Sequence, residues 1–187
     1  AEKGAVSAFI VPKDAAGLTI NAEPYMGLRS AELGTLTLES VTVPEADRLP
    51  GFDLDRLLGL SRIGQCALAV GCCQAVMEYA IPYVNERKAF GEPIAWRQSV
   101  AFMVANMAIE IEGMRLMMLR AASRAEQGLD FHKEAYLAQL QCMEKAMEIG
   151  TNGIQLFGGA GFVRDYPLEM WYRNLRSIAV LHGSLMV

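Results

Sequence analysis

Past about residue 50 the chain repeats apolar residues at steps of three and four through four long stretches, and this periodicity constrains the fold more than any other feature. The spacing predicts helices over 54–86, 95–127, 131–157 and 167–181. In the second, Val100, Met103, Met107, Ile111, Met114 and Met118 share one face. Methionine fills irregular gaps between packed helices, so this stripe reads as core rather than as a binding surface. In the fourth, Leu168, Trp171, Leu175 and Ile178 form the apolar stripe and leave Arg173 and Arg176 off it. Pro167 opens that helix, where its missing N–H costs nothing, with Asp165 just ahead of it. Long helices joined by short connections predict an antiparallel four-helix bundle over residues 50–187. Residues 1–49 differ: β-branched or alternating runs at 6–11 and 36–43, separated by glycine and Asp-Ala turns, predict strands of a partial β-domain. The expected fold is therefore mostly α.

Composition excludes several functions. A formal charge of −4 with no basic run argues against nucleic-acid binding. The four cysteines, Cys66, Cys72, Cys73 and Cys142, lack a CxxC spacing and fall in helical stretches, so buried thiols are expected and a metal site is not. No apolar segment of spanning length and no signal peptide is expected, which predicts a protein of the cytoplasm or another soluble intracellular compartment, without a membrane span.

Two irregular segments interrupt the helices. Gly158, Gly159 and Gly161 follow the third helix, where one glycine suffices to cap it. The extra bare backbone admits close approach by either another helix or a ligand. Between the first two helices lies Arg87-Lys88-Ala89-Phe90-Gly91, followed by Gln98. Arg87 is open to two readings: a solvated cation at a helix C-terminus, or a planar fork for a pyrophosphate.

The order RKAFGEPIAWRQ, then QLFGGAGF, DYPLEMWYRN and HGS, resembles the acyl-CoA dehydrogenase family across essentially the whole chain. The opening AFIVPKDAAGL and LESVTVPEADRL are similar to the end of that family's middle β-domain. The resemblance implies a flavoprotein that holds FAD at a subunit interface. Arg87, Phe90 and Gln98 match residues touching the FAD of a neighbouring subunit, and Gln155, Gly158, Gly159 and Ser184 match further FAD contacts. Arg62 and Gly183 match positions that touch the acyl-CoA or acyl-carrier thioester. A homodimer or tetramer, or a heteromeric or split-chain partner, is implied, as is an acceptor flavoprotein for the electrons. Against the family pattern the chain lacks an N-terminal helical domain, so a fragment or a split subunit is expected.

The family's base for abstracting the Cα proton is a Glu before Gly-Thr. Counting along RNLRSIAVLHGS places His182 there, followed by Gly183 and Ser184. Asn174 likewise stands where the family's YRD motif has Asp. Three readings follow: His182 is the base, since neutral imidazole is competent for that work; the chain is a non-catalytic, structural or FAD-contacting subunit; or a different flavin chemistry, as in a related oxidase or monooxygenase, runs on the same fold.

Overall fold

The computed structural model describes residues 6–181. Four helices carry the architecture: α1 (Leu54–Glu86), α2 (Gln98–Glu126), α3 (His132–Phe157) and α4 (Leu168–Ile178). Asp53 caps the first, its carboxylate accepting from the Arg56 amide at 3.0 Å. Pro82 is accommodated inside α1 without ending it. Neighbours in sequence run antiparallel, whereas α1 and α3 run in the same direction: Gly59 meets Phe131 near their N-termini, and Tyr83 stacks on Phe157 near their C-termini.

The core forms where the sequence periodicity puts it. Cys66, Val70, Cys73 and Val76 of α1 pack with Met107, Ile111 and Met114 of α2, with Ile149 of α3, and with Leu168 and Leu175 of α4. Gly150 and Gly153 bring α4 and α1 close to α3, since a Cβ at either would press on Leu175, or on Val76 and Leu168. The cysteines are free thiols, and three of them are fully buried. Burial pushes the Cys72 thiol up to about 11, while a hydrogen bond from Cys142 holds Cys66 below the ordinary thiol range.

Three expectations need correction. Residues 6–11 form no strand: Phe9 makes a single bridge to Arg48, and the β-ribbon is instead β1 (Leu18–Ala22) paired antiparallel with β2 (Gly34–Leu38). β1 was hidden because its side chains do not alternate between a core and water; four of its five residues are exposed. Second, α4 is shorter than 167–181: it runs from Leu168 to Ile178, with Pro167 as its cap residue. Third, α1 contains an 18-residue window of mean hydropathy 1.3, long and apolar enough by composition to cross a membrane. Its inner face supplies much of the bundle core, while Leu57, Leu60 and Leu68 on its outer face stay exposed.

Candidate functional site

The first two helices are joined by a short hairpin, β3 (Lys88–Ala89) against β4 (Glu92–Pro93), with Lys88 opposite Pro93 and Ala89 opposite Glu92. Phe90 and Gly91 form its two-residue tip, and both have positive φ, 57° and 86°. Primed hairpin turns demand that conformation, which glycine accepts and a bulky residue resists. Phe90 is nonetheless held there, 94% exposed. A strained aromatic left in water burdens the folded chain and points to work done on a ligand or partner. Arg97 sets it in place: its guanidinium lies over the ring, 5.4 Å from the Phe90 ring centre, and pairs with Glu92 at 3.2 Å.

Opposite the hairpin stands the end of α3. Ala89, Phe90, Ile94, Arg97, Met103 and Gln155 are among the residues lining a cavity of about 330 Å³. Two side chains separated by 65 positions on paper, Phe90 and Gln155, thus face one space. Beyond Gln155 the helix ends in a 3-10 turn, Gly158–Phe162. Its three glycines have different reasons to exist. Gly158 has φ 58° and ψ −134°, a conformation for glycine alone. Gly161 is buried, and a Cβ there would stand 2.6 Å from the Ile154 carbonyl oxygen. Gly159 has neither a positive φ nor a neighbour within 4 Å of an added Cβ. Among the described residues nothing in this chain requires Gly159 to be bare, so the open backbone faces outward.

Arg87 and Gln98 frame the same end of the bundle. The Arg87 amide donates to the Tyr83 carbonyl at 2.8 Å and its own carbonyl accepts from Ile94 at 2.9 Å, so its backbone closes the hairpin while its side chain is exposed. Gln98 is the first residue of α2 and is exposed. The structure therefore gathers Arg87, Phe90, Gln98, Gln155, Gly158 and Gly159 at one end. Arg97, which the sequence did not single out, belongs with them; its place beside Gln98 in the AWRQ segment was the available signal.

Arg62 is elsewhere. It lies 25 residues before Arg87 on one helix, roughly 37 Å away along the axis. Its guanidinium stands 5.6 Å from the Tyr136 ring centre, with a buried Nε that has no hydrogen-bond partner among the described residues. A buried guanidinium N–H left unpaired is costly, which marks this end of α1 as a second polar locus. Gln139 Oε1, also unpartnered, lies on the same face of α3 as Tyr136, and its side chain is only 4% exposed. His182, Gly183 and Ser184 lie outside the described residues.

The YRN motif acts as a dock. Arg173 donates to Glu169 through Nε at 2.7 Å and through Nη2 at 3.2 Å, and its Nη1 donates to the Met26 carbonyl at 2.7 Å. Asn174 Oδ1 accepts from the Leu28 amide at 2.8 Å. Gly27 between them is buried against the Arg173 backbone, where no Cβ fits. The hydrogen bond from Arg173 holds the Glu169 carboxyl below its usual range.

Comparison with known proteins agrees with the fold. Residues 53–187 match the family model described as acyl-CoA dehydrogenase, C-terminal domain; the match begins at the cap residue of α1. The probable acyl-CoA dehydrogenase YngJ of Bacillus subtilis is 39% identical over 190 residues, covering 97% of this chain and 50% of the relative. Butyryl-CoA dehydrogenase from Megasphaera elsdenii superposes with a TM-score of 0.89 at 30% identity, over 95% of this chain and 48% of that one. The prolyl acyl carrier protein oxidase AnaB superposes with a TM-score of 0.89 at 26% identity, over 95% and 49%. The chain spans about half the length of these relatives. The family-model match over most of the chain and the similarity to these relatives lead to one conclusion: the chain belongs to the acyl-CoA dehydrogenase family and carries that family's C-terminal helical domain.

Proposed function

We propose that the complete protein is an FAD-dependent oxidoreductase that introduces an α,β-double bond into an acyl thioester borne by CoA or a carrier protein. The observation that carries this reading is the outward-facing cradle at the hairpin end: a strained, exposed Phe90 across a cavity of about 330 Å³ from Gln155, with Gly159 bare for no internal reason. Those residues suit a flat ring joined to a pyrophosphate. Phe90 offers an aromatic face, Gln98 and Gln155 offer amides that donate and accept, Arg87 a guanidinium fork, and the glycine turn backbone N–H groups. Bound flavin would supply a two-electron acceptor for the hydride leaving the substrate's Cβ.

The remaining roles fall to this chain's own side chains. Arg62, with its free Nε, would face the thioester-bearing ligand at the other end of α1. His182 would remove the Cα proton as neutral imidazole, whose reference pKa is about 6.5. The dehydrogenation rate then falls on the acid side, because the protonated ring cannot accept.

The test is spectroscopic. The full-length protein should purify yellow and be bleached by an acyl thioester, and His182→Ala should abolish bleaching while leaving it yellow. A colourless full-length protein that takes up no FAD would overturn the cofactor assignment. Two observations keep other readings in play. The replacement of the family Glu by His182 favours a silent subunit, for which no thioester bleaches the flavin and His182→Glu restores activity. The likeness to a prolyl carrier protein oxidase favours an oxidase, for which bleaching reverses in air with release of peroxide.

A further inference from the structure

Where α1 and α3 run side by side, a polar layer is enclosed among apolar ones. Arg62 and Gln65 stand one turn apart on α1, and Tyr136 and Gln139 one turn apart on α3. The Arg62 guanidinium lies over the Tyr136 ring, which fixes the register of the two helices at this height. Tyr83 and Phe157, which meet at the far end of the same pair, are 74 positions apart. Arg62 and Tyr136 have that same separation, and so have Gln65 and Gln139. Because α1 and α3 point the same way, the two glutamines therefore lie level with each other, one turn above the arginine and the tyrosine. Cys66, Ala69, Ala135, Ala138 and Cys142 on the same stretches of helix are all buried.

Three atoms of this layer are buried and have no hydrogen-bond partner among the described residues: Arg62 Nε, Gln65 Oε1 and Gln139 Oε1. Gln139 is 4% exposed. Left unpaired, each would burden the folded chain with its full desolvation penalty. They are one donor and two acceptors, complementary groups that do not bond to one another, as a gap of one small molecule between them requires. Since the atoms are enclosed by this chain, a substrate or partner does not reach them from outside. Charge narrows the occupant further: the guanidinium repels a cation, the two amide oxygens repel an anion, and an alcohol has one hydrogen for two oxygens. Water has a lone pair for the N–H and a hydrogen for each oxygen. We propose that one buried water bridges α1 and α3 here, accepting from Arg62 Nε and donating to Gln65 Oε1 and Gln139 Oε1, so that the two glutamines are positioning residues for the Arg62 guanidinium. With Nε tied to the water and one face on Tyr136, the guanidinium presents its terminal nitrogens in a single orientation. What they are presented to rests on the proposed contact between Arg62 and the thioester-bearing ligand; the bridge itself rests on α1–α3 packing alone.

Two measurements on the full-length protein test the bridge and the positioning role separately. A crystal structure should place one ordered water within hydrogen-bond distance of all three atoms. Arg62 bonded directly to either glutamine, or a dry contact between them, overturns the proposal whatever the variants do. Calorimetric titration with butyryl-CoA reads the positioning. Methionine has nearly the length and shape of glutamine without its amide oxygen, so Gln65→Met combined with Gln139→Met should raise the dissociation constant about tenfold, with flavin absorbance and helical circular dichroism unchanged. Gln139→Glu keeps an acceptor oxygen and should stay within about threefold of the parent protein. Unchanged affinity in the double methionine variant overturns the positioning role. Equal weakening in the methionine and glutamate variants also overturns it, since packing rather than the acceptor would then be at stake. A parent protein that binds no butyryl-CoA while the water stands in place supports the bridge and counts against the proposed function, so the two failures are told apart.

Discussion

The ribbon at the start of the chain and the bundle that follows it use apolar residues in opposite ways. In the bundle, Met107, Ile111, Met114, Ile149, Leu168 and Leu175 are enclosed almost completely by four helices of the same chain. In the ribbon, Ile20, Leu36 and Leu38 are exposed, and every residue of β2 faces out. A two-stranded ribbon cannot close a core by itself, whereas helices of this length can. The bundle is therefore a folding unit, and the ribbon is attached to it through the 26–28 loop by the Arg173 and Asn174 hydrogen bonds.

The largest effect should come from breaking the bundle. Ile111→Ala, at the centre of the core, should cost about 2–5 kcal/mol in urea unfolding, while Leu36→Ala in the ribbon should stay within about 0.5 kcal/mol. Equal costs would show that the ribbon has a core of its own. Next in size is the dock. Gly27→Ala forces its Cβ against the Arg173 backbone, so hydrogen exchange at the Leu28 amide should accelerate sharply while α1 and α3 amides keep their protection. Unaltered exchange at Leu28 would remove the dock from the account. Asn174→Ala, losing one hydrogen bond to a backbone amide, should act the same way more weakly, by about 1 kcal/mol.

The glycine turn yields a split of a different kind. Gly161→Ala crowds the Ile154 carbonyl and should lower the thermal midpoint, whereas Gly159→Ala meets nothing in the chain and should leave it unchanged while weakening FAD uptake. A shared midpoint shift would mean both glycines serve internal packing. The smallest effect is with pH. The Glu169 carboxyl, held below its usual range by Arg173, stays ionised in the folded chain at pH values where the unfolded chain would protonate it. Its contribution is complete above the ordinary carboxylate range and is lost as pH falls through the lowered value. Leu28 exchange should therefore quicken on the acid side only, and Glu169→Gln should remove that dependence.

Legibility in the sequence followed the same division. The helix faces were readable, since burial on one side imposes a period of 3.6, and Met107, Ile111 and Met114 are buried as their spacing requires. β1 was not readable, because a strand without a core on one face carries no alternation. At the candidate site, Phe90 and Gly159 were marked by residue type, but the reason for each lay in space. A phenylalanine held at positive φ and a glycine with nothing near its missing Cβ are properties of coordinates. Arg97 escaped notice since an arginine next to a helix start has many ordinary explanations, and only the ring beneath it gives the position meaning.

By itself, then, the sequence determined the helical class, the positions of the four helices, the core stripe and the family, because periodicity and motif order are properties of the chain read in one dimension. Tertiary structure decided that Gln155 faces Phe90 while Arg62 lies at the opposite end of α1, and that Asn174 serves as an acceptor for a backbone amide 146 positions away. Those are distances between remote segments. They exist only once packing of the four helices fixes which ends meet.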